Sequence, residues 1–572
     1  MSRQWVTTSD GVRLSVRVTG PQQAPTIVCV HGYPDNSSLW DGVRAQFGDR
    51  FRVVSYDVRG AGESTKPRSR GAYRLDRLAA DLAEVIDEVA PEGKVHLLGH
   101  DWGAIQTWHA VTGRWLRGRV ASFTSVSGPC LDHAGRWFRA QLRPSPRRLR
   151  AAIRQLAHST YIAFFQLPVL PELAWRGGLL ARLIRRADPD AAVPELSDGL
   201  HGLWLYRENM LSRLTRPGRR HADVPVQVIA PAADAFVTVP LQTQIERWVP
   251  DLRVRTIPGG HWVVRGDPGR IATATAEFVE HVHGGPQSRA LRRSRVNPAP
   301  RGRFEGRLVV VTGAGSGIGN ATARAFAAQG ADMVLADIDA DALGTAAQRV
   351  RRAGGQALPY RVDVGDAEEM AEFAAAVRAE HGVADIVVNN AGIGVAGPFL
   401  DTGVREWERV IDVNLWGVIH GCRLFGAQLA ERGEGGHIVN VASVAAYLPT
   451  KVLPAYSATK AAVLMLSECL RAELAAYGIG VSAICPGMVS TNIAGTTTFT
   501  GADEREQHAR RAEGARLFAR RGFPPERVAG DILRAVRRDS AVVASTPEAR
   551  TALALSRLTP GLLRAAARTL PG

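Results

Sequence analysis

Residues 307–339 read RLVVVTGAGSGIGNATARAFAAQGADMVLADID. A short apolar run ends in a glycine turn, a helix-period stretch follows, and a second apolar run ends at Asp337. Few folds accept that order at that spacing. It calls for two parallel strands joined by a helical crossover, and so for a parallel sheet covered by helices on both faces. Apolar runs at 357–362, 384–388, 436–441 and 480–484 alternate with helical stretches and extend the same doubly wound sheet. The other half of the chain has the same rhythm, with runs at 12–18, 26–30, 51–56, 94–98, 120–126, 225–230 and 252–257. At 572 residues two domains are the natural expectation. The cut falls in GGPQSRALRRSRVNPAPRGR (284–303), which is basic, rich in Gly and Pro, and without an apolar period. The expected domains are 1–283 and 304–572, with 284–303 as linker. Between 131 and 215 the strand rhythm breaks into an Arg-, Leu- and Trp-rich helical stretch that reads as an inserted cap. The halves share a class but not a motif set, so they are not internal repeats.

Composition removes several classes. The five cysteines, Cys29, Cys130, Cys422, Cys469 and Cys485, are scattered and odd in number. They suit neither a disulfide framework nor a zinc site, and fit a reducing, cytoplasmic setting with no metal. The start MSRQWVTTSDGVRLSVRV has no signal-peptide core, and no run is long enough to span a bilayer. The net charge of +16 is almost all arginine, since lysine occurs only at 66, 94, 451 and 460. No nucleic-acid motif accompanies that charge. Arginine clusters at 143–154 and 289–303 fit weak peripheral contact with an anionic membrane, or simply a solvated basic surface.

KVHLLGHDWGAIQTW (94–108) gives a buried strand, a sharp turn and a helix, with Gly99 and Gly103 on either side of Asp101. Taken alone, Asp101 is either a helix-capping residue or a nucleophile on a strained elbow. Three features favour the nucleophile. The turn His31-Gly32-Tyr33-Pro34 follows a strand and can supply a backbone N–H to an oxyanion hole, with the Trp102 N–H as second donor. Asp234 follows the strand VPVQVIA, and His261 follows LRVRTIP. The order nucleophile, acid, histidine places all three at strand carboxyl ends, where sites in open α/β sheets gather. Asp234 would orient His261 and stabilise its charged form.

These residues, with YDVRGAGES (56–64), resemble the epoxide hydrolase branch of the α/β-hydrolase fold across 1–283. The resemblance implies attack by Asp101 on an epoxide carbon and an alkyl-enzyme ester that water, activated by His261, then hydrolyses. It also implies two cap tyrosines that protonate the leaving oxygen. TYIAFFQLP (160–168) places Tyr161 and LWLYRENM (203–210) places Tyr206. Each tyrosine is otherwise an ordinary amphipathic cap residue. Haloalkane dehalogenases share the Asp-acid-His logic and are the rival. They usually carry Asn or another halide-binding group after His-Gly, where this chain has Tyr33.

In the second half, Gly313, Ser316, Gly317, Ile318 and Gly319 form the glycine turn, where backbone meets a pyrophosphate at a helix N-terminus. Asp337 ends the next strand. A carboxylate there accepts ribose hydroxyls and repels a 2′-phosphate, which favours NAD over NADP. Asp363 and Val364 sit where an adenine would lie, and Asn390, Ala391 and Gly392 belong to NNAG after a strand. Asn414 lies in DVNLWG, Ser443 ends GHIVNVAS, and YSATK sets Tyr456 and Lys460 four apart on one helix face. The lysine can then lower the phenol pKa. Tyr456 exchanges a proton with substrate oxygen, Ser443 holds that oxygen, and Asn414 supports a relay. Pro486, Gly487 and Thr491, in PGMVST, border the nicotinamide. The set resembles the short-chain dehydrogenase/reductase family over roughly 304–545, which implies a Rossmann-type sheet and a homo-oligomer formed through this domain.

The whole arrangement resembles the actinobacterial two-domain fusions of the epoxide hydrolase D type. That resemblance implies a bifunctional enzyme acting on lipid-like epoxides, alcohols or ketones. The alternative is that only the dehydrogenase half is catalytic and the hydrolase half binds or assembles.

Overall fold

A computed structural model describes residues 2–141, 145–296 and 302–569. The chain divides into two compact units, Met1–Asn297 and Pro298–Gly572.

The first unit is built on one sheet of eight strands. They are β1 (Ser2–Thr7), β2 (Arg13–Thr19), β3 (Thr26–Val30), β4 (Arg52–Tyr56), β5 (Val95–His100), β6 (Val120–Val126), β7 (Val226–Pro231) and β8 (Leu252–Ile257). The order across the sheet is β1-β2-β4-β3-β5-β6-β7-β8. β2 runs antiparallel to β1 and β4, and the other neighbours are parallel. Helices Leu75–Val89 and Trp102–Val111 cover one face with Leu82, Val85, Ile86 and Trp108. Asp41–Phe47 and Pro268–Val282 cover the other with Val43, Phe47, Ile271 and Val279. Burying such a side chain stabilises the fold by roughly 1.5–3 kcal/mol. Every residue of β5 is buried, so both of its histidines need partners inside. His96 bonds Ser122 and His283, and His100 Nε2 bonds the His261 carbonyl at 2.9 Å. Burial lowers His96 to about 4 and His100 to about 3, so both stay neutral.

Between β6 and β7 the described elements are all helical: Leu131–Gln141, Pro146–His158, Thr160–Gln166, Leu170–Arg176, Leu179–Ala187 and Leu196–Thr215. They form the cap. Residues 142–144 lie outside the described residues.

The stretch read as a linker behaves differently in its first part. A short helix, Arg289–Arg293, buries Leu291 completely, and the Val296 N–H donates to Leu252 O at 3.0 Å. One apolar residue among arginines makes no period, so this packing left no pattern in the sequence. Residues 297–301 of that stretch lie outside the described residues.

The second unit carries β9 (Leu308–Thr312), β10 (Asp332–Asp337), β11 (Ala357–Arg361), β12 (Ile386–Asn389), β13 (Val395–Ala396), β14 (Gly436–Val441), β15 (Ile479–Cys485), β16 (Thr498–Phe499) and β17 (Val542–Ala544). Seven of them form a parallel sheet ordered β11-β10-β9-β12-β14-β15-β17, and β13 pairs with β16 apart from it. The strand order reverses between β9 and β12, which opens a crevice at their carboxyl ends.

Candidate active sites

In the first unit, Asp101 follows β5 directly and has φ 48° and ψ −122°. A non-glycine residue is strained there. The backbone around it tolerates no bulk. A Cβ on Gly32 would lie 2.6 Å from the Asp101 carboxylate, and one on Gly103 or Gly128 would strike the main chain of Val30 or of Asp101 itself. Asp101 makes no capping bond to helix Trp102–Val111, so the capping reading of this residue fails. Instead its Oδ2 accepts the Tyr33 N–H at 2.8 Å. Its Oδ1 lies 3.7 Å from His261 Nε2. Burial pushes the Asp101 carboxyl up to about 6, against the pull of His261 and of the Tyr33 and Trp102 N–H groups.

His261 Nδ1 lies 3.1 Å from both oxygens of Asp234. Asp234 Oδ1 also accepts the N–H groups of Phe236 and Val237, at 2.8 and 3.0 Å. Burial opposes charge on Asp234, but His261 and those donors hold its carboxyl below the ordinary value. Burial likewise opposes the His261 cation, yet Asp234 first and Asp101 next raise it to about 9. His31 accepts the Val58 N–H on Nε2 at 2.9 Å and is buried behind the turn. Its part is to hold the loop that presents the Tyr33 N–H.

The cap closes over this site with aromatic rings. Tyr206 stands 5.0 Å from Trp102, 5.0 Å from Phe165, 5.4 Å from Tyr33 and 5.8 Å from Tyr161, ring to ring. Tyr161 meets Phe236 at 5.4 Å, and Phe236 meets His261 at 5.0 Å. Burial, with the Asp101 charge adding to it, raises both phenols above their ordinary value. Both therefore remain protonated and able to donate. The Tyr33 hydroxyl donates to Gly199 O at 2.8 Å and accepts from Trp175 Nε1 at 2.7 Å, both in the cap. A Cβ on Gly202 would collide with the Tyr33 ring.

Sequence reasoning missed Asp188. This buried cap residue accepts the Trp262 N–H at 2.9 Å, and its charge helps raise His261. Nothing in RRADPDAA marks it, because its role depends on where the cap lands.

In the second unit, the loops after β9, β10, β11, β12, β14 and β15 line one cavity of about 1240 Å³. Its walls include Gly313, Ser316, Gly317, Ile318, Asp337, Asp363, Val364, Asn390, Ala391, Gly392, Ser443, Tyr456, Lys460, Pro486, Gly487 and Thr491. Gly319 lies behind the turn, where a Cβ would strike the Gly313 carbonyl oxygen. Gly313 has φ 63°, in the left-handed region. Asn390 Nδ2 donates to Thr312 O and Gly313 O at 3.0 and 3.1 Å, and the N–H groups of Asn390 and Ala391 converge on Thr312 Oγ1. Thr312 is a second residue the sequence reading passed over. Asp337 Oδ2 accepts the Gly315 N–H at 2.8 Å, which fixes the carboxylate at the cavity edge. A backbone cradle that side chains would fill, ending in a fixed carboxylate, fits a nicotinamide adenine dinucleotide.

The same cavity is lined by Ser443, Tyr456 and Lys460. Lys460 Nζ donates to Val441 O at 2.9 Å and lies 5.8 Å from the Tyr456 ring centre. Burial pushes the ammonium down to about 8. The expected lowering of the phenol by Lys460 does not appear in this geometry. Burial holds Tyr456 above its ordinary value, and the group that opposes burial is the Ser443 hydroxyl. Asn414 lies in a π-helical turn, Asp412–Trp416, of a kind frequent at functional sites. Its side chain is used on Ile393, accepting that N–H at 2.8 Å and donating to that carbonyl at 3.0 Å.

A family model described as alpha/beta hydrolase fold matches residues 25–267, and one described as short chain dehydrogenase matches residues 307–500. The "Probable oxidoreductase EphD" of Mycobacterium tuberculosis (strain ATCC 25618 / H37Rv) is 44% identical over 579 residues, covering 98% of this chain and 98% of that protein. The "Putative oxidoreductase SadH" of the same strain is 34% identical over 259 residues, 45% of this chain and 91% of that protein. Among solved structures, a short chain dehydrogenase/reductase from Burkholderia phymatum in complex with NAD is 31% identical over 47% of this chain and 98% of its own, with a TM-score of 0.43.

Proposed function

Because the chain belongs to the family of two-domain proteins that join an α/β-hydrolase domain to a short-chain dehydrogenase domain, represented by mycobacterial EphD, we propose that it is a bifunctional enzyme. The first unit opens an epoxide to a vicinal diol. The second exchanges hydride between an alcohol or ketone and NAD. The observation that carries the hydrolase reading is the asymmetry of the Asp101 carboxylate. Oδ2 is held by the Tyr33 N–H, and Oδ1 faces His261.

Oδ1 attacks an epoxide carbon, the carbon–oxygen bond breaks, and the leaving oxygen takes a proton from Tyr161 or Tyr206. Once Asp101 is an ester its charge is gone, and His261 loses one of the anions that keep it protonated. It then returns its proton to the tyrosine phenolate, and as a neutral imidazole takes a proton from water while the resulting hydroxide attacks the ester carbonyl. The Tyr33 and Trp102 N–H groups hold the oxyanion. Collapse passes the proton of the added hydroxyl to the departing alkoxide, which releases the diol and restores the Asp101 carboxylate beside the His261 cation. A halide leaving group needs no proton, so two protonated phenols beside Asp101 favour the epoxide over the dehalogenase reading. The aromatic lining suits an apolar, lipid-like substrate.

In the second unit, hydride exchange is the chemistry that NAD supplies when bound. Gly313, Ser316, Gly317 and Ile318 would cradle its pyrophosphate, Asp337 would hold its ribose, and Asp363 and Val364 would border the adenine. The chain's own part at the reacting end is proton handling. Ser443 orients a substrate oxygen and Tyr456 moves the proton. Lys460, poised by burial, lowers the cost of the phenolate once its ammonium turns from Val441 O toward the ring. With its side chain tied to Ile393, Asn414 contributes to a proton relay through its main-chain carbonyl.

The test uses the full chain with a lipid-like epoxide and NAD⁺, followed by product mass spectrometry. Asp101→Ala should abolish diol formation and leave NADH production from an added alcohol unchanged. Tyr456→Phe should do the reverse. Survival of either activity after its own substitution refutes the corresponding assignment.

A further inference from the structure

More than half of the large apolar side chains that the described residues expose belong to the cap. They are not scattered. Helix Pro146–His158 turns small and polar residues inward. Ala151 and Ala152 are half-buried, and Gln155 is buried and bonded to Phe236 O and Thr238. Outward it shows Leu149, Ile153 and Leu156, each more than half exposed, at the spacing of a single helix face. A water-facing helix does the opposite. Helix Leu179–Ala187 repeats the arrangement, with Leu180 inside and Leu183 half exposed on the outer face. Between these helices the turn into Leu170–Arg176 exposes Val169, Leu170 and Leu173.

The charge on this surface has one sign. From 142 to 187 the sequence holds nine arginines and one carboxylate, Glu172. Glu172 is already bound to Arg207 at 2.6 Å. Arg150, Arg154, Arg182 and Arg186 are exposed, have no hydrogen bond or ion pair to another side chain among the described residues, and flank the outward leucines and isoleucine. Interleaved apolar and unpaired cationic groups complement one kind of partner, a surface that is anionic outside and hydrocarbon beneath. A protein partner would have to supply a carboxylate for each arginine and cavities for the leucines between them.

We infer that the outer face of the cap, carried by helices Pro146–His158 and Leu179–Ala187, docks on an anionic lipid bilayer. The inner face of the same segment carries Tyr161, Phe165 and Trp175 of the hydrolase site. A docked cap therefore sets that site one helix-thickness from the lipid. The inference stands apart from the epoxide reading, because it rests on the outer face alone.

The test is cosedimentation of the full chain with phosphatidylglycerol–phosphatidylcholine vesicles and with phosphatidylcholine vesicles. Binding is expected to the anionic vesicles and not to the neutral ones, with release as salt rises. Arg150→Gln with Arg154→Gln should weaken binding roughly fivefold per arginine removed. Ile153→Glu with Leu183→Glu should abolish it. Circular dichroism confirms that the variants are folded, and dehydrogenase turnover serves as the basal activity, since none of the four residues belongs to either site. Three results overturn the inference: no binding by the wild type, undiminished binding by both double variants, or a fall in solution mass in the glutamate variant, which would make this face a contact between two copies.

Discussion

Asp101 holds two unfavourable states at once. It is a non-glycine residue at φ 48° and a carboxylate buried enough to be pushed up to about 6. Both are costs to the fold, of the kind the proposed role of Asp101 as nucleophile would repay. Replacing Asp101 by Asn removes the charge, and Asn accepts positive φ more readily. Asp101→Asn should therefore raise stability at pH 8 by roughly 3 kcal/mol, read from denaturant melts. The sign follows from linkage. A carboxyl whose folded pKa is raised favours the fold below its unfolded value near 4 and loses that contribution as pH climbs to about 6. The advantage of the Asn variant should accordingly grow between those limits and stay constant above them. An advantage independent of pH would show that backbone strain, not charge, is what was relieved. For ring opening, the rate of alkyl-enzyme formation in a rapid-quench experiment should rise with pH through about 6, as Oδ1 becomes ionised. The meeting of Asp101, Asp234 and His261 was legible because chain order and strand ends are written in the sequence. Asp188 was not, since a residue brought to a site by a cap has no local pattern.

At the scale of elements, the doubly buried parallel strands were legible to within a residue or two because both faces demand apolar side chains. β1 was not, for only Val6 of its six residues is buried along a sheet edge. β17 has three residues, none fully buried, and likewise offered no run. The helix after the glycine turn provides a sharper test than any strand. Gly319→Ala would drive a Cβ into Gly313 O, so NAD⁺ binding measured by calorimetry should be lost. Gly344 supplies the control. It is exposed within helix Ala340–Arg352, and a Cβ there meets nothing within 4 Å. Gly344→Ala should raise stability by about 1 kcal/mol and leave binding unchanged. If both alanines behave alike, the cradle is not where the dinucleotide sits.

At the scale of the molecule, two units carry two cores and two sites. Ten of the twelve tryptophans lie within residues 1–297 and two within 298–572, so intrinsic fluorescence reports mainly on the first unit. NAD⁺ at a hundred times its Kd should stabilise the second unit by about 2.7 kcal/mol. The shift should appear in the calorimetric transition of that unit and leave the fluorescence transition in place. Equal movement of both would mean that the units unfold together. Within the first unit the parts are less separable. The Tyr33 hydroxyl is clasped by Trp175 and Gly199 of the cap, while the N–H of the same residue holds the Asp101 carboxylate. The cap is therefore not an interchangeable module. A foreign cap grafted to change substrate range would unseat the Tyr33 N–H from Asp101 unless it brought its own indole, its own free carbonyl and a glycine at 202, so new specificity is more readily reached by varying the rings inside the existing cap than by exchanging the cap.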